Sequence, residues 1–290
     1  MVVERAGDTW SLLGQGRTPT DGDQGPDAVM RRLAEVGAGA VARWPGVATV
    51  GIGVPGLYYP ATGAAKFLVN LPGQWDGKPV AGVVGAALGL PTHLINDARA
   101  FGLAELRLGA GRGASTMVGL VMGTGVGGIV AVAGRIHQGH DGTAGELGHQ
   151  TIDPDGPSCN CGNYGCLEAF VRADRIAEAC GTSTAKEADE RARAGDSKAR
   201  DGMARVGRYL GIGIANNIVA VTPDRVVIGG GVSASLDLFL PHVWAELRRR
   251  VHVTSLDAVD IVRAELGPWA GGIGAAIYGA EAAESGPVAS

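Results

Sequence analysis

What the 290-residue chain lacks narrows the field first. Four cysteines are too few for a disulfide framework at this length, and three of them fall within eight positions, Cys159 to Cys166. There is no surplus of positive charge: 25 Lys and Arg stand against 29 Asp and Glu, a net charge of −4, which argues against binding a phosphate backbone by bulk charge. No apolar segment comes after Met1-Val2-Val3-Glu4-Arg5, so nothing there reads as a secretory leader. The long uncharged stretch between Arg112 and Arg135 is dense in glycine (Gly113, Gly119, Gly123, Gly125, Gly127, Gly128 and Gly134) and reads as strand, turn and strand rather than a bilayer span. A P-loop with its lysine is missing, and no Gly-x-Gly-x-x-Gly opens a Rossmann unit. The expectation left standing is a reduced, cytoplasmic, soluble enzyme or binding protein, with neither a membrane nor a nucleic-acid partner.

Glycine is abundant, at 49 residues, against an ordinary share of about 7%. The glycines fall between apolar, β-branched runs and so punctuate a folded chain. Val2 to Glu4 and Thr9 to Leu13 read as a hairpin turning at Gly7-Asp8. Pro26 to Arg43 reads as a helix with Val29, Leu33, Val36 and Ala40 on one face. Strands are expected at Val47 to Val54, Pro91 to Asn96, Met117 to Met122, Gly128 to Val132, Arg225 to Ile228 and Val259 to Ala264. Helices are expected at Ala98 to Leu108, Leu167 to Ala179, Ala185 to Ala194 and Asp196 to Val221, with another ending at Arg250 and a small-residue helix from Gly271. Alternating strands and helices argue for an α/β chain with a mainly parallel sheet in each half, divided near residue 97. The apolar face of the 196–221 helix suggests a homodimer.

The densest chemistry lies in Glu146-Leu147-Gly148-His149 and Cys159-Asn160-Cys161-Gly162-Asn163-Tyr164-Gly165-Cys166. Three thiolates and one imidazole match a closed structural zinc site, and four protein donors leave no open position for catalysis at the metal. Buried, unliganded cysteines are the plain alternative, but sulfurs this close together in a polar loop argue against it. A redox pair would want Cys-x-x-Cys. A nucleic-acid zinc knuckle would want basic and aromatic residues among the ligands, where this loop has Asp153, Asp155, Glu168 and one aromatic, Tyr164.

Asn96-Asp97 ends a strand and opens a helix, where an aspartate is an ordinary N-cap. It is equally the place, beyond the carboxyl end of a strand, where α/β proteins bind ligands, and a carboxylate there can accept the proton of a substrate hydroxyl. Gly123-Thr124-Gly125-Val126-Gly127-Gly128 either closes a hairpin or offers backbone N–H groups to anionic oxygens. Gly229-Gly230-Gly231 is either a tight turn or a close approach to a nucleotide.

Taken in order, Ile95-Asn96-Asp97-Ala98, Met122 to Gly128, Glu146 to His149 and Cys159-x-Cys161-Gly162-x-x-Gly165-Cys166-Leu167-Glu168 resemble the ROK family of sugar kinases and sugar-responsive repressors, from about Val47 to the last helix. The resemblance implies an α/β, actin-like (ribonuclease H-like), two-lobed ATPase fold. On it, residues 1–97 form a small lobe completed by a C-terminal helix near 276–290, and residues 98–275 a large lobe. It implies ATP-dependent phosphorylation of a hexose hydroxyl, usually O6 of glucose, with Asp97 as base. Asn96, Glu146, His149, Glu168 and, in an Asn-x-x-Trp-like loop, Asn70 would contact the sugar. Gly123, Thr124 and Gly125 would meet the phosphates of ATP, which enters with Mg²⁺, and Gly230 and Gly231 would border the nucleoside. His149, Cys159, Cys161 and Cys166 would hold Zn²⁺. The family's opening Asp-x-Gly-Gly-Thr strand has no counterpart in this sequence, whose first strand resembles the family's second. The alternative this carries is a non-catalytic sugar-binding protein; a DNA-binding repressor would carry a helix-turn-helix extension before the hairpin.

Overall fold

In the computed structural model, residues 1–69 and 71–285 are described; Asn70 and 286–290 lie outside them. The chain divides into two compact units: residues 1–108, 139–143 and 268–290, and residues 109–138 and 144–267.

The first unit opens with the expected hairpin, β1 (Val2–Ala6) and β2 (Thr9–Gly14). Helix α1 (Pro26–Arg43) begins at its proline, whose fixed φ and missing N–H suit the first turn. Its expected face is only partly right, because Val29 is buried while Val36 is exposed. Strands β3 (Val50–Val54), β4 (Gly56–Tyr59) and β5 (Ala64–Leu68), helix α2 (Val80–Leu88), strand β6 (Thr92–Asn96) and helix α3 (Asp97–Leu108) come next. Among the described residues the strands form three two-stranded ladders, and only β3 with β6 is parallel, so the mainly parallel sheet expected here is not what forms. Ile52, Val54, Leu94, Trp75 and Val84 make its core. The C-terminal helix (Ala270–Ser285) belongs to this unit. It draws α3 in with it: Gly274 lies against the Ala100 carbonyl, and Arg107 pairs with Glu281 at 2.7 Å. The division therefore falls after Leu108, not at residue 97.

The second unit is built on β7 (Met117–Met122), β8 (Val126–Val132), β9 (Arg135–Ile136), β10 (Arg225–Gly229) and β11 (Asp260–Arg263), in the order β11-β10-β7-β8-β9. β11, β10 and β7 run parallel, whereas β7, β8 and β9 are antiparallel. A parallel pair needs a crossover of a dozen or so residues, and the short turn after β7 allows only a hairpin. The expected single helix 167–179 is two, α4 (Glu168–Val171) and α5 (Ala173–Cys180), broken where Arg172 turns to ψ 161°. Helices α6 (Ala185–Arg193) and α7 (Ser197–Val221) are capped by Thr184 and Asp196, whose side chains accept the Glu187 and Ala199 N–H groups. Helix α8 (Leu236–Arg250) comes after one 3₁₀ stretch. Met203, Val206, Leu210, Ile214 and Ile218 of α7 are at most 2% exposed, packed into this unit's own core. They are thus unavailable as the dimer surface the sequence suggested. Among the described residues no helix is long and apolar enough to cross a membrane.

Candidate functional site

In the first unit the chemistry gathers where β6 runs into α3. Asn96, 8% exposed, has its amide fully occupied. Its Nδ2 donates to the Gly56 carbonyl at 3.2 Å and to Asp97 Oδ1 at 3.1 Å, and its Oδ1 accepts the N–H groups of Ala98 at 3.0 Å and Arg99 at 3.2 Å. Those two N–H groups are orphan donors of the first helical turn. The cap of α3 is therefore Asn96, not Asp97, and the Asp97 carboxylate is left exposed beyond the strand end. Exposed though it is, the protein crowded around it displaces enough water to raise its pKa above the ordinary aspartate value; the Ala98 N–H, the Arg99 guanidinium and the Asn96 amide pull the other way. Arg99, 2% exposed, is a residue the sequence reading passed over. The signal was there: a lone guanidinium two positions after the carboxylate, between Ala98 and the apolar Ala100-Phe101. Asn70 lies outside the described residues.

In the second unit three segments meet. The first is the turn after β7. Met122 pairs with Val126, so only Gly123, Thr124 and Gly125 form the loop, while Val126 and Gly127, expected between the strands, lie within β8. Gly123 N–H is closed on the Gly125 carbonyl at 2.9 Å. The Thr124 and Gly125 N–H groups have no partner among the described residues, and the Thr124 side chain is exposed. The second segment is Gly230-Gly231, after β10. Gly230 has φ +81°, and a Cβ there would strike the Met122 carbonyl, so both the backbone twist and the close approach to β7 demand glycine. The two glycine segments thus lie side by side at the same end of neighbouring parallel strands.

The third segment is the cysteine loop. The donor atoms of His149, Cys159, Cys161 and Cys166 all lie within 4.8 Å of one another. Cys161 and Cys166 sulfurs are 3.7 Å apart, as are Cys159 Sγ and His149 Nδ1. A tetrahedral ion with bonds of about 2.3 Å to sulfur and about 2.0 Å to nitrogen sets such spacings near ~3.5–3.8 Å. The donors therefore fit a structural zinc, and nothing in the set leaves room for a substrate on the metal. Without a cation the sulfurs resist ionisation together: burial and the neighbouring thiols push Cys166 up to about 12, and burial raises Cys159. Only Cys161 is lowered, chiefly by the Asn163 N–H. A divalent ion would reverse that preference and release protons on binding. Nδ1 of His149 faces the sulfurs, which leaves Nε2 for another partner.

Glu146, exposed, precedes the 3₁₀ turn Leu147–His149. Glu168, 9% exposed, opens α4 and turns toward β8: its Oε2 accepts the Val126 N–H at 2.7 Å, and its Oε1 lies 3.8 Å from Cys159 Sγ. That engagement had no signal in the sequence. Glu168 is one residue in a motif whose resemblance points to a sugar, and only the fold brings it to the 123–125 turn.

The ROK family model matches residues 9–281. The glucokinase of Thermotoga maritima is 33% identical over 277 residues, covering 88% of this chain and 86% of that one. Among solved structures, the ROK hexokinase of Thermus thermophilus superposes with a TM-score of 0.81 at 33% identity, covering 96% of this chain and 92% of that one. A ROK family glucokinase from Streptomyces griseus, solved with glucose and AMPPNP, gives a TM-score of 0.72 at 28% identity, covering 87% and 88%.

Proposed function

The chain belongs to the ROK family and has its actin-like α/β fold, and on that premise we propose that it is a sugar kinase that moves the γ-phosphoryl group of ATP onto a hexose hydroxyl, O6 of glucose in the first instance. The observation that carries the reading is the Asn96 side chain, which takes up the Ala98 and Arg99 N–H groups and orients the Asp97 carboxylate at the strand end.

Asp97 accepts the hydroxyl proton as the sugar oxygen attacks phosphorus, so the nucleophile gains charge only as the new bond forms. Thr124 Oγ and the open N–H groups of Thr124 and Gly125 donate to phosphate oxygens, where negative charge must be held in place. Gly230 and Gly231 let the nucleotide lie against bare backbone. Mg²⁺ accompanies the ATP and offsets its charge. Glu146 and His149 Nε2 recognise ring hydroxyls, with Glu168 and Asn70 as further contacts; Asn96, its amide committed within the β6–α3 junction, contributes by orienting Asp97. Covered by the bound sugar, polar partners of this kind discriminate because a sugar lacking one hydroxyl leaves a group unpaired. His149, Cys159, Cys161 and Cys166 would hold Zn²⁺, which would supply shape to the loop and, with four protein donors, would leave no open position for Lewis-acid chemistry.

The test is a coupled ADP assay run beside calorimetric titration with glucose. Glucose-dependent ADP release, with the product shown by NMR to be the 6-phosphate, is the expected result. Glucose binding without ADP would replace the kinase with a sugar-binding protein of the same family.

A further inference from the structure

The two sides of the metal-binding loop close on one residue, Val126, the first of β8. From the histidine side, Gly148 packs so tightly on the Val126 carbonyl that any Cβ would collide with it. From the cysteine side, Glu168 Oε2 takes the Val126 N–H at 2.7 Å. The break between α4 and α5 adds a third tie. Because Arg172 leaves the helix, the Ala173 N–H is released from α4 and donates to the Gly123 carbonyl at 2.8 Å. Gly125 completes the contact, since a Cβ at that position would come within 2.7 Å of Glu168 Oε2. The turn 123–125 is thus held at both ends by residues near the candidate metal ligands: Gly148 beside His149, and Glu168 and Ala173 after Cys166.

We propose that Glu168 is a positioning residue that transmits metal occupancy of the cysteine loop to the 123–125 turn. With the ion in place, Cys166 and Cys159 are fixed, the start of α4 is fixed with them, and the carboxylate stays on the Val126 N–H. With the ion gone, the three sulfurs and the imidazole no longer share a centre, the start of α4 is released, and the turn loses its carboxylate anchor. Glu168 is 9% exposed and its bond to the Val126 N–H is short, so losing that buried acceptor is large enough to read. The consequence for nucleotide affinity rests on the reading of the turn given under the proposed function.

The experiment is site-resolved amide hydrogen exchange on the full chain, zinc-loaded and chelated, in the wild type, Glu168→Gln and Glu168→Ala, with metal content and AMPPNP affinity measured on the same samples. Chelation is expected to speed exchange at Val126 by about tenfold or more in the wild type while leaving β10 and α8 protected. Glu168→Ala is expected to exchange fast at Val126 even when loaded. Glu168→Gln, whose amide oxygen still accepts but carries no charge, is expected to keep part of the protection and its dependence on metal. AMPPNP binding is expected to weaken wherever Val126 is released. Val126 protection indifferent to metal in the wild type overturns the proposal, as does equal loss of protection across β10 and α8, which would make the ion a general staple. Should Glu168→Ala prove insoluble, the wild-type pair decides alone. If exchange responds as expected but AMPPNP affinity does not, the coupling stands and the nucleotide assignment of the turn falls instead.

Discussion

The β6–α3 junction and the cysteine loop present functional side chains by opposite means. At the junction, Asn96 satisfies two helix N–H groups, a neighbouring carbonyl and Asp97 at once, so the carboxylate is oriented by ordinary secondary structure and one side chain. In the loop, His149, Cys159, Cys161 and Cys166 are brought together across a polar, glycine-rich segment with no regular element longer than a 3₁₀ turn before α4. The β6–α3 backbone and the Asn96 side chain together give the junction its shape, whereas the loop gathers three sulfurs and an imidazole that a cation would hold together. The lesson is that a carboxylate can be placed by folding alone, while donors gathered across a loop with little regular structure call for a cross-link. Predictions that strike one region and spare the other test that contrast.

The largest effect falls at the junction. Asp97→Asn keeps the side-chain shape and its hydrogen bond with Asn96 but cannot take a proton, and turnover is expected to drop by about 10³-fold, within the ordinary range for a general base. Glucose titration should give a dissociation constant close to wild type, and zinc content should not change. Turnover within a few-fold of wild type would remove Asp97 from the chemistry.

The next strikes the loop. Cys166→Ser exchanges a buried ligand for a hard, weakly binding hydroxyl, and metal analysis should show zinc per chain falling well below one. Structural zinc contributes folding energy outright, so thermal unfolding should begin several degrees lower. Hydrogen exchange should localise the loss to the second unit and leave β3 and β6 protected. Equal loss in both units would erase the distinction between the two regions.

A smaller effect returns to the junction. Asn96→Ala leaves the Ala98 and Arg99 N–H groups without their acceptor, and removing such a cap costs about 1 kcal/mol. Chemical denaturation should register that cost, turnover should fall further than stability alone explains because Asp97 loses its orienting amide, and zinc content should stay at wild type. Unaltered turnover would mean that Asp97 holds its position without the cap.

The two regions also differ in how far the sequence betrays them. The metal site is legible because its donors sit in two short segments at a spacing that few other chemistries require. The glycine segments are legible as turns, but their closeness is not, since it depends on β10 lying beside β7, over a hundred residues away in the chain. Asn96 and Asp97 are legible as a strand end and helix start, but which of them caps is decided by side-chain rotation, and there the sequence favours the wrong one. The break at Arg172 is invisible for a similar reason. Every residue from Leu167 to Ala179 tolerates a helix, and the pull that interrupts it comes from the Gly123 carbonyl on another element. Helix periodicity marked the buried face of α7 well, yet it could not say that the same chain would cover it.

The smallest effect is one of pH. The protein around Asp97 raises its pKa, with the Arg99 guanidinium holding it partly down. A base works only when deprotonated, so the acid limb of kcat is expected above the ordinary aspartate range, with an unperturbed plateau at neutral pH. For stability the sign is opposite. A folded-state pKa above the unfolded one means that the folded chain binds the proton more tightly, so this residue's contribution to stability falls as pH rises through that window and recovers as pH drops. Acidification should therefore silence turnover while Asp97 itself adds to stability rather than to unfolding. Arg99→Met removes the one charge that opposes the shift, and should move the acid limb upward again while leaving the neutral plateau and zinc content alone; Arg99→Lys should restore it. If the limb stays where it was in both variants, the field at Asp97 is set by its amide neighbours, and the junction is governed by hydrogen bonds alone.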